Sequence, residues 1–88
     1  MPRGLLELNQ YFRIYKDINF ESENKDGLII ARSTNFNHGS IITSGKNEEE
    51  LDKNIKDAIL TSFEIPSSYA KEAKITKIGE NKKEYAIA

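Results

Sequence analysis

Three stretches of the chain carry residue types suited to chemistry. His38 stands beside Gly39 in the polar run from Thr34 to Gly39. An imidazole is the commonest general base, but it needs a nucleophile or a carboxylate converging on it. None can be placed against His38 from the sequence, so it reads as a solvent-exposed loop histidine. Glu48-Glu49-Glu50 with Asp52 supplies the oxygen ligands that hard cations prefer. Consecutive helical residues point in different directions, so these carboxylates do not converge on one ion. They read instead as acidic residues placed at a helix start, where the helix dipole favours them. Gly39 to Asn47 has the glycines and the Lys46 of a phosphate-binding loop. The spacing is one residue too long, and Asn47 stands where such a loop needs a magnesium-binding Ser or Thr. That stretch reads as a strand, a glycine turn and a helix cap. No catalytic set, metal site or cofactor is expected.

Charge is distributed unevenly. Residues 47–64 hold six acids and two lysines, net −4, while residues 1–46 come to +1 and residues 65–88 to +2. The solvent face of the segment 47–64 is the expected acidic pole, suited to a basic protein partner and unsuited to phosphate. Glu48, Glu49, Asp52, Lys53 and Lys56 are the candidate partner-binding residues. Lys71, Lys74, Lys77, Lys82 and Lys83 make the tail locally basic, with only Tyr69 and Tyr85 interleaved and no arginine. A solvated strand face explains them better than nucleic-acid binding does.

The elements that must position these residues come from one small domain, residues 1–88. Cysteine is absent and His38 is the single histidine, which removes thiol chemistry, iron–sulfur clusters and cysteine- or histidine-cluster zinc. Leu, Ile and Phe make 22 of 88 residues, enough for a folded core but a thin one. The net charge is −1, which favours neither nucleic acid nor an anionic membrane. The longest apolar run, Leu28-Ile29-Ile30-Ala31, is too short to span a membrane, and no targeting segment is visible. A cytoplasmic protein is expected.

Residues 1–9 give mixed signals and suit a loose arm or an extra strand. From Gln10 to Phe20 the pattern has period two. Phe12, Ile14, Ile18 and Phe20 point one way, and Tyr11, Arg13 and Tyr15 the other, which predicts a half-buried strand. Its two-sidedness makes Tyr11, Arg13 and Tyr15 candidates for self-association. Asp26-Gly27 supplies the positive φ angles of a tight hairpin turn. Strands follow over 28–33 and 40–44. Asn47 as N-cap and Glu50 three residues later form a capping box. Leu51, Ile55, Ala58, Ile59 and Phe63 then make one apolar helical stripe, which Pro66 stops. Residues 67–72 suit a loop or one more helical turn, and 74–78 and 84–88 suit two strands around Gly79-Glu80-Asn81. The order is β-β-β-α-β(-β). The fold class is α+β, an antiparallel sheet with one helix on one face. The predicted core is Phe12, Ile14, Ile18, Ile29, Ala31, Ile41 or Ile42, Leu51, Ile55, Ala58, Ile59 and Phe63.

Three runs together resemble the HicB-like family: Asp26 to Arg32, Ser40 to Gly45, and Glu49 to Ile59. Gly27, Thr43, Gly45, Glu49, Glu50, Leu51, Ala58 and Ile59 stand at that family's places, and the likeness covers about residues 10–66. The resemblance implies a partial ribonuclease-H-like unit without catalytic carboxylates, a homodimer, and, in antitoxin members, capture of a small basic toxin that cuts messenger RNA. Two departures stand out. Arg32 to Gly39 replaces the family's frequent Asp-Leu-Pro-Gly-Cys-like stretch, and the residues after Glu64 read as strands, so self-repression by direct DNA binding is not expected. Three functional classes follow: an antitoxin-like module that captures a small basic partner, a stand-alone homo-oligomeric domain, and a nucleic-acid binder using the lysine-bearing tail.

Overall fold

The computed structural model describes residues 3–79 and 83–87. The elements are α1 (Arg3–Tyr15), β1 (Ile18–Lys25), β2 (Leu28–Ser33), β3 (Ile42–Gly45), α2 (Glu48–Ser62), a 3₁₀ turn (Ser67–Tyr69), α3 (Ala70–Ala73), β4 (Ile75–Ile78) and β5 (Lys83–Ile87). The strands form one antiparallel sheet in the order β3-β2-β1-β5-β4. The class is α+β as the pattern predicts, with three helices among the described residues in place of one. Of the predicted turn Gly79-Glu80-Asn81, the last two residues lie outside the described residues, as do Lys82 and Ala88.

The main correction is at the N-terminus. Residues 3–15 are a helix, neither an arm nor a strand, and the strand begins only at Ile18. Leu5, Leu8 and Phe12 recur at helical spacing and bury one stripe, to which Tyr11 adds a fourth buried side chain. The alternation from Gln10 onward is real but covers too few residues to outweigh that stripe. Ile14, predicted in the core, is therefore 68% exposed on the opposite side of α1. Gly4 lets α1 approach the end of α2 closely, because a Cβ there would meet the Phe63 carbonyl oxygen and the Ile65 side chain. Lys16 closes α1 in the left-handed region, at φ 72°.

Elsewhere the local chemistry acts as its residues dictate. Asp26 and Gly27, at φ 52° and 82°, form the two-residue turn that sets Lys25 opposite Leu28. Asn47 Oδ1 accepts from the Glu50 backbone N–H at 2.8 Å, and Glu50 Oε1 accepts from the Lys46 N–H at 3.1 Å, so the box closes one residue further back. At the other end Ile65 N–H donates to Leu60 O and Glu64 N–H to Thr61 O, both at 2.9 Å. This Schellman closure holds Glu64 at φ 57° and ends α2 before Pro66 is reached.

The core lies between the helices and one face of the sheet. Ile18, Phe20, Ala31 and Tyr85 supply its strand side, and Leu51, Ile55, Ile59 and Phe63 its helical side. Ile29 and Ala58 are half-buried at its margin. Of the alternatives Ile41 and Ile42, Ile41 is buried and Ile42 is 60% exposed. The other sheet face carries Glu21, Arg32 and Ile42 in one row and Glu23, Ile30 and Ser44 in the next, and no described helix covers it.

Candidate protein-binding surfaces

The helix α2 sorts its charged residues by direction. On the sheet side, Tyr85 is 1% exposed and its hydroxyl donates to Asp52 Oδ1 at 2.7 Å. Asp52 Oδ2 pairs with Lys56 Nζ at 3.0 Å. Lys83 Nζ reaches Glu48 Oε2 at 3.1 Å. Burial, reinforced by the hydrogen bond to Asp52, pushes the Tyr85 phenol far above its ordinary value. Burial also acts to raise Asp52, but the Tyr85 hydroxyl and Lys56 outweigh it and hold the carboxyl below its usual value. A phenol kept protonated against a carboxylate kept ionised is a tie between helix and sheet, not a nucleophile with a base. Among the described residues no three His, Asp or Glu side chains stand together as a metal site.

The geometry thus divides the partner-binding residues that the sequence suggests. Glu49 and Lys53 face solvent, joined by Asp57 and by Glu50, which also serves the cap. Glu48, Asp52 and Lys56 are engaged within the chain. Asp57 was missed by the sequence reading. Tyr85 was missed as well, since it read only as an aromatic interleaved in the lysine-bearing tail.

The self-association residues are also redistributed, because their strand is a helix. Tyr11 is 3% exposed, and its hydroxyl accepts from the Asn37 backbone N–H at 2.9 Å. It therefore cannot serve as an exposed contact. Arg13 is exposed, and Tyr15 is exposed with its ring centroid 4.7 Å from that of Tyr11. His38 is exposed as expected, but its ring joins an aromatic cluster, 5.0 Å from Tyr11, 5.4 Å from Phe36 and 5.7 Å from Phe63. Asn35 fixes the same loop, accepting from Asn19 N–H at 2.7 Å and donating to Asp17 Oδ1 at 3.1 Å. The loop is thus a clamp joining α1 to β1.

Between β3 and the second half of α2 lies an open groove of about 390 Å³. At the end of β3 Gly45 abuts the helix, where a Cβ would lie 2.5 Å from the Leu51 backbone nitrogen. That contact uses the first turn of α2 for packing, so the stretch resembling a phosphate loop is a strand, turn and cap. No helix among the described residues is long and apolar enough to cross a membrane. Comparison with known proteins gives no matching family model, no matching curated protein and no matching solved structure.

Proposed function

We propose that the chain is a non-catalytic protein-binding module that captures a small basic partner through the solvent side of α2. The observation that carries this reading is the outward set Glu49, Glu50 and Asp57, three carboxylates against the single exposed ammonium of Lys53. None of the three has an ion-pair partner among the described residues, and Lys56 and Lys83 are engaged by Asp52 and Glu48. Such a rim attracts a basic surface and repels phosphate. The resemblance to HicB-like antitoxins supports the same direction, with a toxin-like protein as the captured species and the cytoplasm as the compartment. The engagement of Lys83 by Glu48 counts against nucleic-acid binding by the tail.

A second reading, a stand-alone homo-oligomeric domain of HicB-like type, has its own support. The bare sheet face exposes Leu28, Ile42 and Ile78 beside half-buried Ile30, and a second copy covering it as a homodimer would bury them.

Co-purification from the native source followed by charge reversal separates the two. Capture predicts a small basic protein whose complex weakens, and becomes less salt-sensitive, in the double variant Glu49→Lys, Asp57→Lys. Unchanged binding in that variant refutes the acidic-rim mechanism. A homodimer in light scattering that both reversals leave intact supports the second reading.

A further inference from the structure

β3 is an edge strand, and its hydrogen-bonding phase follows from its neighbour. Ser33 N–H donates to Ile41 O at 2.9 Å, and Ile41 N–H donates to the Ser33 hydroxyl at 2.9 Å, so Ile41 faces β2. Outward and inward groups alternate along an antiparallel strand. Thr43 and Gly45, opposite Ala31 and Ile29, therefore also face β2, while Ile42 and Ser44 turn their backbone groups outward. One of these is already satisfied, since Asn54 Nδ2 donates to Ser44 O at 2.7 Å. Ile42 N–H, Ile42 C=O and Ser44 N–H remain at the edge with no bond from the described residues. Edge strands are ordinarily blunted by lysine, proline or a covering element. Residues 40–45 hold neither a charge nor a proline, whereas the opposite edge strand, β4, carries Lys77.

The groove beside this edge is long enough for a short strand. Its helical wall runs from Asn54 through Asp57 and Thr61 to Ser62. The eight helical steps from Asn54 to Ser62 rise about 12 Å, the length of roughly four extended residues. Asp57 is the one ionisable side chain in the lining.

We infer, building on the binding-module reading above, that this groove accepts an extended segment of a basic partner protein. The segment adds to the sheet beside β3, bonds to Ile42 and Ser44 through its backbone, and sets a lysine or arginine against Asp57. Main-chain bonds supply affinity in such strand addition, and side-chain contacts supply selectivity. A second copy of β3 is the rival occupant, and charge argues against it. Asp57 and Ile42 line the same groove, so a twofold pairing about Ile42 brings two Asp57 carboxylates to one seam, where like charges repel.

The test uses the full chain and two short blocked peptides, one alternating valine with lysine and one alternating valine with glutamate. The expected result by nitrogen-15 NMR is that the lysine peptide shifts the Ile42 and Ser44 amides and slows their hydrogen exchange, while the glutamate peptide does neither. Ile42→Pro deletes the outward donor without removing a ladder bond. It should weaken the lysine peptide by roughly tenfold or more while the circular dichroism spectrum is retained. Asp57→Lys should reverse the preference between the peptides, which keeps the inference testable if the proline variant fails to fold. Equal binding of both peptides overturns it, as do shifts mapping outside residues 40–62. Ile42 protection that rises with protein concentration in the absence of peptide overturns it in favour of the second copy. Loss of binding in Glu49→Lys, outside the groove, with none in Ile42→Pro refutes the strand site and leaves rim capture standing.

Discussion

The two sides of α2 carry the same chemistry and put it to opposite use. Asp52 faces β5, takes a hydrogen bond from a buried phenol and an ion pair from Lys56, and is part of the fold. Asp57, five residues on and about 140° around the helix, is exposed and forms no ion pair among the described residues, lining the groove beside β3 and, with Lys53 and Lys56, the surface toward Ser67 and Ala70. What separates them is the element across from each: β5 offers Tyr85 and Lys83, while the edge of β3 offers backbone groups and no cation. The net −4 of residues 47–64 and the net +2 of residues 65–88 are therefore partly cancelled across one internal seam. Only the remainder on the far side of the helix is available to a partner.

The comparison can be broken from the largest effect downward. Ile55 is fully buried beneath both sides of α2. Ile55→Ala should cost about 2–5 kcal/mol in chemical denaturation and take the seam and the rim down together. Next, Asp52→Ala should cost about 1–3 kcal/mol, because it leaves the Tyr85 hydroxyl buried without its acceptor. The matched Asp57→Ala should move the urea midpoint by no more than about 0.5 kcal/mol equivalent. Equal effects from the two substitutions would erase the distinction between the sides.

The pH dependence sharpens the same contrast. Asp52 titrates lower in the folded chain than its ordinary 3.8, so its contribution is complete above that value and is lost as pH falls below it, through the folded pKa. Wild type should therefore lose more stability than Asp52→Asn in thermal melts taken on acidification from about pH 4. The Tyr85 phenol titrates higher than its ordinary 10.0, so its contribution holds below pH 10 and is lost as pH rises through the folded value. A smaller gain is expected where neither side is involved. Glu64 closes α2 at φ 57°, a conformation glycine adopts freely, so Glu64→Gly should raise stability by about 1 kcal/mol in calorimetry.

The sequence made α2 legible because several signals agreed there: the Asn47 and Glu50 cap, the stripe from Leu51 to Phe63, and Pro66 beyond it. The Asp26-Gly27 hairpin was legible for the same reason, as turn chemistry and flanking strands pointed one way. The helix α1 was not. Gly4 has no side chain to signal that it packs, no acidic residue marks the first turn, and Tyr11 to Tyr15 alternate as a strand would. The stripe of Leu5, Leu8 and Phe12 emerges only when the residues before Gln10 are read together with those after it. Of the site, the acidic solvent face of α2 was visible, and which of its carboxylates the sheet engages was not. Which carboxylate meets Tyr85 depends on how β5 registers against β1, and no local pattern near Asp52 or Asp57 encodes that pairing. The open edge of β3 was hidden likewise, since strand order is a property of the whole sheet.

That strand order also bears on the speed of assembly. The central strand β1 has one neighbour, β2, two turn residues away, and another, β5, at the far end of the chain. Closing the first pairing costs little loop entropy, and closing the second costs much more. Loop entropy therefore favours forming the stretch from β1 through α2 first, and the paired strands β4 and β5 are expected to dock later. Substitutions at Tyr85 are then expected to act chiefly by quickening unfolding in stopped-flow kinetics, which would make the seam between helix and sheet the latch that sets the lifetime of the folded chain.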